Sequence, residues 1–167
     1  MKKKTALFLK ESEGVGNENI VLEKEELESL PFDEFGFIEL PSLKIRKEAS
    51  IGIEGISKAL IEAQLAVAET GTVVVDDSDE SARLAASLCD ELHVVVYEDR
   101  IVGKLEDTRK YLKEKASQPA FIAFITGASR TADIERVLTT GVHGPEKMVV
   151  YLVKEKRVDK RKGKRKA

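Results

Sequence analysis

Residues 120–135 read AFIAFITGASRTADIE, and this stretch carries the fold. Ala120–Ile125 is an unbroken apolar run of strand length. Thr126-Gly127-Ala128-Ser129 is a turn of small residues, and a helical pattern begins at Thr131. Thr131 is a suitable N-cap, while Asp133 and Glu135 fall in the first turn, where the helix dipole favours negative charge. A buried strand, a tight turn and a helix together form the unit from which parallel sheets are assembled, because parallel strands need a long crossover between them.

The same alternation runs outward in both directions. Leu65–Ala68 and Thr72–Val75 read as short strands around Glu69-Thr70-Gly71. Glu80–Leu88 reads as a helix, His93–Tyr97 as a buried strand and Lys104–Lys115 as a polar helix. Thr131–Leu138 continues as a helix and Met148–Val153 as a final strand. Ile53, Ile56, Leu60 and Ile61 recur at helical spacing, which predicts an amphipathic helix over 53–63. Residues 1–50 are irregular in pattern. Ala6–Leu9 and Ile20–Leu22 read as short strands, and Glu23–Leu30 as a short helix stopped by Pro31. Asp33–Leu40 and Leu43–Ile45 read as extended, broken by Pro41. The fold expected is α/β: a single domain with an open, mainly parallel sheet and helices on both faces. Thr72–Val75, His93–Tyr97, Ala120–Ile125 and Met148–Val153 are all expected in that sheet. The chain divides into an N-terminal segment 1–50, an α/β domain 51–153 and a basic tail 154–167.

Composition narrows the function. The chain has 167 residues, 42% apolar and 35% charged, with a formal net charge of −2, which is a globular profile. The apolar run behind the basic start, MKKKTALFLK, spans about five residues, where a secretory signal needs roughly 7–15. No run approaches the ~20 residues of a membrane span, so a cytoplasmic protein is expected. Cys89 is the single cysteine, so this chain alone cannot hold an iron–sulfur cluster or a thiolate zinc site. Residues 154–167 hold nine Lys/Arg against Glu155 and Asp159. No aromatic residue interleaves them, so the tail reads as a solvated end and nucleic acid is not the expected partner. Only two Asn and two Gln occur among many Lys, Glu and Arg, a bias that points to a heat-adapted source.

TGASR also opens the nucleotide turn of many short-chain dehydrogenases, but the rest of that pattern is missing. Dinucleotide binding needs further glycines so that backbone can approach pyrophosphate, and Thr131 and Asp133 stand in their places. Asp133 would set a negative charge beside phosphate oxygens. The turn also arrives late in the chain, and the Tyr111/Lys115 pair precedes it. NAD is therefore not the expected cofactor. Two readings remain for the turn itself. The N–H groups of Gly127, Ala128 and Ser129, with the Arg130 guanidinium, could hold a carboxylate or phosphate. Alternatively, it is an ordinary capped helix whose Arg130 pairs with Asp133 or Glu69.

Three blocks taken together resemble a known family. They are Ala68-Glu69-Thr70-Gly71-Thr72, then Thr126 to Glu135 (TGASRTADIE), then Gly141-Val142-His143-Gly144-Pro145. In order and spacing they are similar to the motifs of the LUD domain, the lactate-utilisation family that includes LutC and YkgG proteins. The similarity covers about residues 55–153. It implies a fold like the NagB/RpiA/CoA-transferase group, with the site at strand C-terminal ends. It implies a role in a system that oxidises L-lactate to pyruvate beside separate iron–sulfur oxidoreductase proteins.

On this basis Glu69 and His143 are the candidate catalytic residues. Glu69 follows a strand at a tight turn, where its carboxylate could act as base, as nucleophile or simply as the partner of Arg130. His143 lies in a glycine-flanked loop rather than on an apolar face. Thr70, Gly71, Gly127, Ser129, Arg130, Thr131 and Gly144 are the candidate ligand-binding residues, for a small-molecule anion. His93, at the start of a buried strand, reads as structural. Two histidines without metal-ligand spacing argue against a zinc site.

Overall fold

The computed structural model describes residues 2–49, 56–128 and 144–154. In chain order the helices are α1 (Lys3–Gly14), α2 (Lys24–Glu28), α3 (Glu80–Leu88) and α4 (Arg109–Lys115). The strands are β1 (Glu18–Leu22), β2 (Phe37–Leu40), β3 (Ile45–Lys47), β4 (Lys58–Glu62), β5 (Leu65–Val67) and β6 (Thr72–Asp76). They continue as β7 (Glu91–Tyr97), β8 (Ile101–Val102), β9 (Ile122–Ile125) and β10 (Lys147–Val153). The α/β class and the single domain expected from the sequence are what the structure shows.

The strands form two sheets. The larger runs β1-β10-β7-β4-β2-β3 and is parallel except for β3. The smaller runs β8-β5-β6-β9, with β6 antiparallel to both of its neighbours. This corrects the expectation that four named strands share one sheet. Thr72–Val75 and Ile122–Ile125 belong to the small sheet, His93–Tyr97 and Met148–Val153 to the large one. Four residues, Ala68–Gly71, join β5 to β6, and so short a link makes that pair antiparallel.

The large sheet is buried on both faces because its central strands β4, β7 and β10 carry apolar residues facing both ways. Leu92, Val94, Val96, Met148, Val150 and Leu152 pack on one face with Phe8 of α1, Ala82, Ala85 and Ala86 of α3, and the small sheet. Val95, Val149, Tyr151 and Val153 point the other way, onto Leu27 of α2 and Phe35. Each such side chain contributes about 1.5–3 kcal/mol by leaving water. α3 begins where Asp79 caps it, its carboxylate accepting from the Ser81 and Ala82 N–H groups, an interaction typically worth ~1 kcal/mol.

Several local expectations are corrected. Ala6–Leu9 is not a strand but part of α1. Thr5, Phe8 and Ser12, all buried, recur at helical spacing, and the short apolar run obscured that period. The helix expected over 53–63 is instead β4 from Lys58 onward. Ala59, Leu60, Ile61 and Glu62 are buried in succession between β2 and β7, as a central parallel strand requires. Residues 53–55 lie outside the described residues. Asp33–Leu40 is extended only from Phe37, after a 3-10 turn at Phe32–Glu34. Leu43 closes a second 3-10 turn, and Lys44 takes a left-handed φ of 56° before β3. Lys104–Lys115 splits into a 3-10 turn, Leu105–Thr108, and α4. The helix expected at Thr131–Leu138 lies outside the described residues.

Candidate functional site

Two turns meet at one end of the small sheet. One is Ala68–Gly71, between β5 and β6. The other begins at Thr126, where β9 ends. Because β9 runs antiparallel to β6, with Ile125 opposite Val73, the start of β6 lies beside the exit of β9. Three hydroxyls join the two turns in a string. Thr70 Oγ1 is 2.8 Å from Thr72 Oγ1, which is 2.9 Å from Thr126 Oγ1. Thr70 belongs to the turn and Thr72 opens β6, with Gly71 at φ +68° between them, so the turn rather than strand alternation brings the two hydroxyls together.

The segment from α1 to β1 braces these turns. Asn17, buried just before β1, donates from Nδ2 to the Thr126 carbonyl at 2.9 Å and to Ser12 Oγ at 3.1 Å. Gly71 has φ +68°, a conformation side chains rarely adopt, and lies against the α1 backbone. A Cβ there would stand 2.6 Å from the Ser12 nitrogen, so glycine is required twice over. Gly127 is also close-packed: a Cβ would approach the Val15 carbonyl oxygen to 3.2 Å and Asn17 Oδ1 to 3.3 Å.

The hydroxyl string lines a cavity of about 700 Å³, whose walls include Leu105, Leu112 and Phe124 and whose rim carries Glu106 and Arg109. Arg109 is exposed, and no ion pair engages it among the described residues. Hydroxyls both donate and accept, an unpaired guanidinium attracts anions in a forked geometry, and the apolar walls suit a carbon skeleton. Such a lining can take a small organic acid. No group of three or more His, Cys, Asp or Glu among the described residues could hold a metal ion.

The structure brings Thr70 and Gly127 to this site, with Glu69 and Gly71 in the same turn. Glu69 is exposed, and its Oε1 accepts from the Leu105 N–H at 2.9 Å, which ties it to the 3-10 turn on the cavity wall. Gly144 lies just before β10, where Glu146 N–H donates to the Asp90 carbonyl, and no described contact joins it to the two turns. Ser129, Arg130, Thr131 and His143 lie outside the described residues. His93 is structural: its Nδ1 is 2.9 Å from the Tyr151 hydroxyl, and the Phe35 ring meets it edge-on at 5.0 Å. Burial holds its pKa below the usual imidazole range, although the Glu91 carboxylate pulls the other way. Burial also pushes the Cys89 thiol up to about 12, so it is an inert core thiol. Lys115 pairs with Asp76 at 3.1 Å rather than serving a Tyr–Lys dyad.

Sequence reasoning missed Thr72, Thr126, Arg109 and Asn17. Thr70 and Thr72 flank Gly71, whose left-handed turn brings them together, so no strand alternation signalled the pair. Arg109 carried no signal either, since nothing in a polar helix marks the one cation that borders a cavity.

Comparison with known proteins agrees with the three blocks. The LUD domain family matches residues 16–153. A protein of Deinococcus radiodurans named lactate utilization protein C is 34% identical over 90 residues, covering 53% of this chain and 42% of that one. Its namesake in Bacillus licheniformis is 32% identical over 120 residues, covering 66% and 50%. The chain thus spans about half the length of the curated relatives it matches. Among solved structures, a DUF162 family protein of Deinococcus radiodurans superposes with a TM-score of 0.65 at 16% identity, covering 90% of this chain and 96% of that one. That likeness concerns the fold alone.

Proposed function

This chain belongs to the LUD-domain family, and we propose that within it the chain is a component of L-lactate (2-hydroxy-acid) oxidation that binds a carboxylate- or phosphate-bearing small molecule. The relatives' printed name, lactate utilization protein C, supports the pathway. One observation carries the binding site: three linked threonine hydroxyls and Arg109, which no ion pair engages among the described residues, line the same cavity. Arg109 meets the acid group, the hydroxyls take its remaining oxygens and the 2-hydroxyl, and Leu105, Leu112 and Phe124 exclude water from the carbon side. Ser129, Arg130, Thr131 and His143 are the further candidate binding residues in this reading, and Glu69 and His143 the candidates for any acid–base step. The electron acceptor resides in separate iron–sulfur oxidoreductase partners, since one cysteine cannot ligate a cluster. A NagB/RpiA/CoA-transferase-like fold and a cytoplasmic setting belong to the same proposal. No helix among the described residues is long and apolar enough to cross a membrane.

A second reading, a non-catalytic anion-binding or regulatory module, is favoured by the engagement of Glu69 with Leu105 N–H, which occupies one carboxylate oxygen with a structural task. Calorimetric titration with L-lactate, pyruvate, inorganic phosphate and NAD tests the binding, and turnover with an artificial electron acceptor separates the readings. Saturable binding of an acid without NAD binding is expected. Saturable NAD binding, or no acid binding up to about ten millimolar, where the free energy falls below ~3 kcal/mol, would overturn the proposal.

A further inference from the structure

A second cavity, of about 210 Å³, opens where β2, β4 and β6 end and α3 begins. It lies at the far end of β6 from Thr72, about 17 Å away along five extended residues, so it is separate from the threonine-lined site. Its floor is apolar, formed by Ile61, Val75, Ala82 and Pro41, and its rim is acidic.

Most of that acidity is neutralised. Glu39 and Asp79 both pair with Arg46, Glu62 pairs with Arg100 at 2.9 Å, and Asp76 pairs with Lys115 at 3.1 Å. Asp77 is the exception. The residue is 4% exposed, its Oδ1 is fully enclosed, and its carboxylate accepts no hydrogen bond among the described residues. The nearest cation, Arg83, turns elsewhere, reaching the Asp77 backbone carbonyl at 3.5 Å and stacking on the Phe121 ring. A buried carboxylate without donors costs several kcal/mol unless something else supplies them. Burial, with a smaller contribution from Asp76, pushes its pKa up to about 6 against the pull of Arg83.

We propose that this cavity is a binding site for a small primary-ammonium ligand, its N–H donors held by the Asp77 carboxylate and its short alkyl part lying on Ile61, Val75 and Ala82. A divalent ion does not fit, because the described acidic groups do not converge in threes. A neutral donor would satisfy the hydrogen bond but leave the charge. The volume is ample at interior-like density for an amine of three to five carbons, about four to six heavy atoms.

The test uses n-propylammonium as probe at pH 7.5, followed through the side-chain amide resonances of Gln64, which lines the cavity. Neutral n-propanol and tetramethylammonium, which has charge but no N–H, serve as controls. A saturable shift with propylammonium only is expected, weakened at least tenfold in Asp77→Asn. Glu106→Gln, at the other cavity, should leave it unchanged. Equal responses to propylammonium and tetramethylammonium would overturn the inference, as would no saturation in the unmodified protein or unchanged affinity in Asp77→Asn. The wild-type titration decides even if that variant does not fold.

Discussion

Gly71→Ala probes the contact on which the site is built. Gly71 sits at φ +68°, and an added Cβ would lie 2.6 Å from Ser12 N, 2.8 Å from the Glu11 carbonyl carbon and 2.9 Å from Ser12 Cα. All three atoms are α1 backbone, so no side chain can swing aside. Holding alanine in the left-handed region costs roughly 1–2 kcal/mol. Relieving the overlap means moving α1, which carries the fully buried Phe8, and overpacking of that kind costs about 1–3 kcal/mol. The expected loss is therefore about 2–5 kcal/mol. With a urea slope near 2 kcal/mol/M, the unfolding midpoint should fall by about 1–2.5 M. Gly14→Ala is the control, since nothing lies within 4 Å of its would-be Cβ. Placed at the end of α1, it should be neutral or gain up to about 1 kcal/mol. A Gly71→Ala midpoint within the error of wild type would refute the argument that this turn is locked against α1.

Asp77→Asn should stabilise the ligand-free protein, and more so at higher pH. The folded pKa of about 6 lies above the ordinary 3.8, so the native state binds protons more tightly and loses stability as pH rises between those values. The gain should approach about 3 kcal/mol at pH 7.5 and shrink to roughly half that at pH 5; a pH-independent difference in urea melts would count against a buried unpaired carboxylate. Arg109→Gln should weaken L-lactate binding about five- to tenfold by calorimetry, the lower range because the guanidinium is exposed and screened; unchanged affinity would remove it from the site. Thermal unfolding is expected above ~75 °C on composition, beyond the ~45–65 °C of mesophilic domains; a midpoint near 55 °C would contradict the heat-adapted reading.

What could be read from the sequence followed the physics of each segment. Glu80–Leu88 and Met148–Val153 were legible because a capped amphipathic helix and a long β-branched run each have one stable solution. β4 was not: its neighbours on both sides bury Ala59 to Glu62 in succession, and such a strand has no alternation to distinguish it from a helix. α1 was hidden for the opposite reason, since its inward positions include Thr5 and Ser12, polar residues whose burial depends on partners elsewhere in the chain. The antiparallel pairing of β5 with β6 was written in the shortness of Ala68–Gly71, a link too brief for a parallel crossover, whereas the division into two sheets was not. For the site, the motif residues Glu69 to Gly71 and Gly127 were visible as turn chemistry. Arg109 and Asp77 were not, because an unpaired charge becomes visible only when all its possible partners have been placed.

The most direct measurement is a threonine-methyl NMR titration with L-lactate and, separately, with inorganic phosphate. The account predicts that Thr70, Thr72 and Thr126 shift together and saturably with one of these anions, with Leu105 and Leu112 following. Thr5, buried in α1 and not part of the cavity lining, should move less. Saturable shifts confined to residues outside that cavity, or none at all, would contradict the claim that the two turns form an acid-binding site.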